Sequence, residues 1–138
     1  MLATILLLLV ESDPVVQIDL EETLKDSGFL TWDVANGRHA LAELDEEAGR
    51  FSGLITSVQL GEGPNGWQVA RRARQLLPNM PVVYVSSGHA AEWSSEGVPN
   101  SVMVEKPFVA ARVVAAVSKR LNAATATLLP STADCLCL

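Results

Sequence analysis

Short apolar runs alternate along this chain with segments in which apolar residues recur every three or four positions. The first run ends with ILLLLV at residues 5–10, and it is followed by Val16, Leu20 and Leu24, spaced as on one face of a helix. A run that is apolar at every position is typical of a strand buried on both faces of a parallel sheet. Repeated five times, this order predicts an α/β fold, a doubly wound five-stranded parallel sheet with helices on both faces.

Turn and capping residues predict where the elements begin and end. Asp13 and Pro14 form a good helix start, and Gly28 predicts the end of that helix. Asn36 with Gly37 predicts a turn. The other predicted strands are 29–34, 53–57, 81–86 and 102–104. The other predicted helices are one that ends at Gly49, one from near Asn65 to Pro78, a short one within 88–97, and a last one striped by Val113, Val114, Val117 and Leu121.

The length, net charge and cysteine positions of the chain exclude several classes of protein. The chain has 138 residues, enough for one domain, and its net charge of -6 argues against general binding to nucleic-acid phosphates. The first apolar run is far shorter than the ~20 residues that cross a bilayer, so no membrane association is predicted. Cys135 and Cys137 lie in the last four residues, where they cannot staple a core or complete a four-ligand metal site. We therefore expect a cytoplasmic protein.

The carboxyl ends of the predicted strands are the place to look for function. In doubly wound folds, ligands bind at that edge of the sheet, next to the residues that directly follow each strand. The candidates are polar or charged: Glu11, Ser12, Asp13, Ser57, Ser86, Ser87 and Lys106. Asp13 is also placed to cap the following helix, which we take as its main role. His39 and His89 fall on different units, so a histidine metal pair is not predicted.

Five motifs in order carry a family resemblance. They are LLLVESDP at the first strand end, LITSVQL at the third, NGWQVARRAR at the third helix, PVVYVSSG at the fourth strand, and EKPF after the fifth. Over roughly residues 4–122 the chain resembles the receiver domain of two-component response regulators. The resemblance implies a receiver (flavodoxin-like) domain at 1–122 and a C-terminal tail at 123–138.

The resemblance also implies a phosphoryl switch. In the family, an aspartate after the third strand is phosphorylated, acidic residues after the first strand hold Mg²⁺, and a hydroxyl and a lysine sense the phosphoryl group. Glu11, Ser86 and Lys106 match their family positions. Ser57 stands at the phospho-acceptor position, and Ser12 stands where the family has a second metal-binding acid. Met103 stands where many receivers carry a switch aromatic.

These departures affect the chemistry of the switch. A serine hydroxyl is neutral at pH 7, so Ser57 cannot form an acyl phosphate, and Ser12 offers a dipole where a hard cation prefers a carboxylate. We therefore predict weak or absent Mg²⁺ binding, no other cofactor and no enzymatic activity. With two carboxylates missing, Lys106 is expected to pair with Glu11 or to hydrogen-bond Ser57, which would hold the site in one conformation.

The sequence therefore predicts a receiver-like domain of the phosphorelay type that is not phosphorylated and acts as a protein-interaction module. Its partner would be a histidine kinase or another signalling protein, and a homodimer is a further option. Two alternatives remain open: an active single-domain response regulator that uses another acceptor, and a binder of small ligands. The second alternative lacks a glycine-rich phosphate loop. Arg71, Arg72 and Arg74 are expected to form a solvated helix face.

Overall fold

The computed structural model describes residues 5–106 and 110–128, and within them the five predicted strands form one parallel sheet in the order β2-β1-β3-β4-β5. This arrangement confirms the predicted fold class. β3 and β4 are buried at every position, which explains their continuous apolar runs. The strands are β1 (Leu6–Val10), β2 (Leu30–Val34), β3 (Gly53–Ser57), β4 (Val82–Ser86) and β5 (Val102–Glu105).

The first three helices begin at side-chain caps, which the sequence makes recognisable only in part. Asp13 caps the first helix as predicted, and Asn65 caps the third with a reciprocal contact to Gln68. The prediction of a turn at Asn36 and Gly37 was wrong, because Asn36 caps the second helix and Gly37 is its first residue. The helices are α1 (Pro14–Asp26), α2 (Gly37–Glu47), α3 (Gly66–Leu76), α4 (Ala90–Glu96) and α5 (Ala110–Leu128), with a short 3-10 turn at Ala48–Arg50.

Two apolar cores lie on opposite faces of the sheet. Leu8 and Val10 of β1 point into the core beneath α2 and α3, whereas Leu7 and Leu9 point into the core beneath α1 and α5. Trp67 is buried in the first core, where its ring packs edge-on against Tyr84 with centroids 4.7 Å apart. The sheet is therefore held from both sides, which fixes the positions of its strand ends.

The arginines of α3 differ from the predicted solvated face. Arg71 and Arg72 remain accessible, but each makes an ion pair with another element, to Glu96 and Asp45 respectively. Arg74 is half-buried, and its guanidinium donates hydrogen bonds to backbone carbonyls outside α3. The sequence pattern missed this role because a long side chain can leave the polar face of its helix and reach neighbouring loops.

The last helix passes beyond the predicted domain boundary. α5 continues to Leu128, whereas the boundary was placed at residue 122. The cysteines Cys135 and Cys137 lie outside the described residues, so the prediction of a separate tail is untested there. Among the described residues, no helix is long and apolar enough to cross a bilayer.

Candidate functional site at the carboxyl edge of the sheet

The ends of β1, β3 and β5 bring three of the predicted site residues into contact. β1 and β3 are parallel neighbours with Val10 opposite Thr56, so the next residues, Glu11 and Ser57, lie side by side. Lys106 reaches them from the end of β5. A cleft of about 190 Å³ opens here, and we call it the carboxyl-edge cleft. Its lining comprises Glu11, Ser12, Asp13, Ser57, Gln59, Ser86, Ser87, His89 and Lys106.

A compact hydrogen-bond triad occupies the floor of this cleft. Ser57 Oγ donates to Glu11 Oε1 over 2.9 Å, and Lys106 Nζ donates to the same oxygen over 3.2 Å. Lys106 Nζ also lies 3.4 Å from Ser57 Oγ. Both contacts expected of Lys106 are therefore present. Because only 1% of the Glu11 side chain is exposed, the ammonium compensates a carboxylate that water cannot reach.

Two further carboxylate oxygens near the cleft accept hydrogen bonds from backbone N–H groups. Glu11 Oε2 accepts a 3.0 Å hydrogen bond from the backbone N–H of Asp13. Asp13 Oδ1 in turn accepts from the N–H groups of Val15 and Val16 at the start of α1, as its capping role requires. Ser12, between the two acids, is exposed. The acids thus serve the β1–α1 turn as well as the cleft.

The donors of the cleft can be compared with those that hold magnesium in proteins. Mg²⁺ prefers oxygen ligands in octahedral geometry and is usually held through carboxylates. Both oxygens of Glu11 already accept hydrogen bonds, and the Lys106 ammonium, 3.2 Å from Oε1, would repel a dication. Over the part of the chain that the structure describes, no three His, Cys, Asp or Glu side chains are grouped to hold a metal ion.

Ser86 and Met103 complete the residues singled out from the sequence. Ser86 is 3% exposed and lines the cleft, and its Oγ has no hydrogen-bond partner. Its carbonyl accepts a 2.6 Å hydrogen bond from the Lys106 N–H, which positions the lysine. Met103 is half-buried on β5, opposite Tyr84, and packs against the core beneath α2 and α3. Pro107 and Phe108 of the EKPF motif lie outside the described residues.

Sequence reasoning missed two residues of the cleft, Gln59 and His89, whereas Ser87 had been selected together with Ser86. Gln59 follows β3 by two positions and His89 follows β4 by three, so the rule that selected strand-end residues also reaches them. His89 had been considered only as half of a metal pair. A search extended by three residues beyond each strand would have included both of them.

The solved structures that this chain resembles are receiver proteins and receiver domains. The chain is 43% identical to a response regulator receiver protein from Sinorhizobium medicae, with 88% of this chain and 97% of that one covered and a TM-score of 0.84. The receiver domain of a sensor histidine kinase from Pseudomonas aeruginosa, solved with a magnesium ion in its active-site cleft, has the same fold at 20% identity and a TM-score of 0.73. That comparison covers 87% of this chain and 99% of the other.

A curated relative is more distant. The phyllosphere-induced regulator PhyR of Methylorubrum extorquens is 24% identical over 115 residues, which is 83% of this chain. This chain spans 43% of the length of PhyR. No family model matches the chain. The fold, the strand-end residues and the 43% identity over nearly full length together show that the chain belongs to the response regulator receiver family.

Proposed function

We propose that this two-component receiver domain accepts no phosphoryl group at Ser57 and acts as a protein-interaction module. The observation that carries the proposal is the hydrogen bond from Ser57 Oγ to Glu11 Oε1, with Lys106 bound to the same oxygen. An acyl phosphate requires a carboxylate nucleophile, and the side chain at this position is a hydroxyl.

The triad also argues against Ser57 as a phosphoserine acceptor. A serine nucleophile needs a general base to remove its proton in the transition state. Glu11 Oε1 accepts the Ser57 hydrogen bond, but the same oxygen also accepts a hydrogen bond from the Lys106 ammonium, so it is not held for the Ser57 proton alone. The hydrogen bonds among the three side chains therefore stabilise the unphosphorylated arrangement of the cleft.

An ion-independent site favours a single conformation of the domain. In a metal-dependent switch, the ion and the phosphoryl group bias two states differently. Here serines stand at two positions that are carboxylates in the family, so Lys106 balances the charge of Glu11 without an ion, and the proposal requires no cofactor and no enzymatic step. The function left to such a cytoplasmic domain is recognition of a signalling protein, such as a histidine kinase, or of a second copy of the chain.

Exposed apolar side chains on α1 support this interaction role. Val15 is 75% exposed and Ile18 is 55% exposed. Because Ile18 follows Val15 by three positions, the two side chains are neighbours on one helix face. Large apolar side chains next to each other on a surface are typical of contact sites for proteins. This face begins directly after the β1–α1 turn, so a partner bound here would lie next to the carboxyl-edge cleft.

The first experiment is incubation with a small phosphodonor and Mg²⁺, followed by intact mass measurement. We expect no mass increase for the wild type or for Ser57→Ala. An increase of one phosphate in the wild type that is absent in Ser57→Ala would contradict the proposal. A mass increase that hydroxylamine removes would contradict it as well. A receiver domain that has been shown to accept phosphate from the same donor, treated in parallel, checks that the donor is active.

The second experiment measures binding of a purified cognate kinase to surface and cleft variants. Ile18→Glu should weaken binding strongly, whereas Lys106→Ala should bind like the wild type if it remains folded. Asp19→Ala, at an exposed neighbouring position of α1, is the matched control. Loss of binding in Lys106→Ala with retained folding would show that the cleft itself is the recognition site.

A further inference from the structure

A second cleft lies at the opposite edge of the sheet, where β4 and β5 begin. Its volume is about 280 Å³, and Arg74 of α3 and Arg120 of α5 line it together with Asn79 and Asn100 of the preceding loops. We call it the arginine cleft. Because it is at the amino ends of the strands, it is separated from the Ser57 triad by the whole length of the sheet.

The two guanidinium groups converge on the loop before β5. Arg74 donates from Nε to the carbonyl of Met80 over 2.6 Å and from Nη1 to the carbonyl of Pro99 over 2.5 Å. Arg74 Nη2 and Arg120 Nη1 lie 3.3 Å and 3.2 Å from the same oxygen, the carbonyl of Asn100. Two cations therefore share one neutral acceptor.

The charge of this pair is not compensated within the cleft. The described lining contains no Asp or Glu, although the chain as a whole carries a net charge of -6. Burial lowers the pKa of Arg74, and the nearby charge of Arg120 lowers it further. Like charges brought together in a partly buried site repel each other unless an anion joins them.

The guanidinium of Arg120 is incompletely hydrogen-bonded. Its Nε is shielded from solvent and has no hydrogen-bond partner within the described part of the chain. Buried N–H groups of a cation are almost always paired, because leaving one unpaired is unfavourable. The planar guanidinium presents Nε and Nη in a fork that matches two oxygens of a phosphate or carboxylate group.

We propose that the arginine cleft binds a phosphate-type dianion, either free phosphate or the phosphoryl group of a phosphomonoester. A dianion matches the charges of Arg74 and Arg120, which no Asp or Glu of the described lining compensates. The amides of Asn79 and Asn100 add polar groups at the rim. This binding site is additional to the proposed interaction role, and its existence does not depend on that role.

The test is an NMR titration of the wild-type chain with sodium phosphate at pH 7.5, with sodium chloride holding the ionic strength constant. We expect saturable shifts of the Asn79 and Asn100 amide signals at millimolar phosphate. Adenosine monophosphate in a second arm distinguishes the sources: tighter binding than phosphate indicates a phosphomonoester, and weaker binding indicates the free ion. Acetate, a monoanion, should bind at least tenfold more weakly than phosphate.

Variants separate a specific site from general screening. Arg120→Gln should weaken phosphate binding at least tenfold, whereas Arg112→Gln, which removes an exposed charge from the same helix, should leave it unchanged. If Arg120→Gln does not fold, Arg120→Lys keeps the charge but removes the Nε donor and should weaken binding several-fold. Non-saturable shifts, or equal weakening in the Arg112 and Arg120 variants, would overturn the proposal.

Discussion

Ser57 and Glu11 are joined by a 2.9 Å hydrogen bond at a strand edge where the family resemblance implies two carboxylates. A hydroxyl next to Glu11 forms an attractive contact without an ion, whereas two carboxylates would repel each other and require one. The consequences of this substitution can be tested by restoring the missing charges one at a time.

The first prediction concerns Ser57→Asp alone and together with Ser12→Asp. The single variant should gain little phosphorylation, because it restores only one of the two missing carboxylates and leaves the metal site without the ligand at the Ser12 position. The double variant should bind Mg²⁺ and incorporate measurable phosphate, since two added carboxylates give a dication oxygen ligands. Intact mass after a phosphodonor titration checks both outcomes, with wild type as the negative control.

Equal labelling of the single and double variants would contradict this reasoning. It would mean that Ser12 does not contribute to metal binding and that the residues of the β1–α1 turn have been matched to the wrong family positions. Mg²⁺ titrations followed by melting temperature provide an independent measurement. The wild type should show no saturable shift.

The second prediction concerns the ammonium of the triad. Lys106→Met should lower the free energy of unfolding by roughly 1–3 kcal/mol, because Glu11 is left buried beside an apolar side chain. The lower end allows for the 26% exposure of the Lys106 side chain, which screens part of the interaction. Urea unfolding measures the change.

A matched control for that variant is Lys119→Met, at an exposed position of α5. It should change the free energy of unfolding by less than about 0.5 kcal/mol. Combining Lys106→Met with Glu11→Gln should destabilise the domain by less than the sum of the two single changes, because the neutral amide no longer needs a cation. Strict additivity would indicate that the two side chains do not interact.

The third prediction concerns the close approach of α3 to the end of β3. A Cβ added at Gly66 would lie 2.1 Å from the backbone oxygen of Ser57, so Gly66→Ala must shift the helix start or the strand end. We expect a loss of roughly 1–3 kcal/mol in unfolding free energy. At Gly49, no atom lies within 4 Å of an added Cβ, so Gly49→Ala should be near neutral. Thermal unfolding of both variants tests the contrast.

The fourth prediction concerns alkaline pH. Burial raises the pKa of Tyr84 above its ordinary value of 10.0, so above about pH 10 the unfolded state loses this proton before the folded state does. Stability should therefore be intact below pH 10 and should fall as the pH rises further. In Tyr84→Phe this fall should be smaller, while stability at pH 7 drops by about 1 kcal/mol because the N–H of Val98 loses its partner. Urea unfolding at several pH values measures both effects.

The sheet was predictable because its signals are local. Each apolar run between turn residues, such as 53–57, became a strand at or within a few residues of its predicted bounds. Asn36 was misread because an asparagine before a glycine is common both in turns and at helix starts, and only the following helical residues decide between them. The end of α5 at Leu128 was not predicted, since its alanine-rich end carries no stripe of large apolar residues.

The site was predictable only as a set of positions. Strand-end logic selected Glu11, Ser57 and Lys106, and the charges suggested which would pair. Contacts between residues that are distant in the sequence could not be predicted from local sequence patterns. Arg74 and Arg120 come from helices 46 positions apart in numbering, and neither the shared carbonyl of Asn100 nor the unpaired Nε could be read from the helical pattern.

The triad spans nearly the whole chain, and this has a consequence for how the domain forms. Lys106 and Glu11 are 95 residues apart in sequence, and Ser57 and Glu11 are 46 apart. Contacts between such distant residues require large loops to close, which slows folding and delays them relative to local contacts. During synthesis, a chain that has not yet added β5 has no Lys106 to pair with Glu11. The ion pair therefore stabilises only the completed domain, and it contributes nothing to a partly made one.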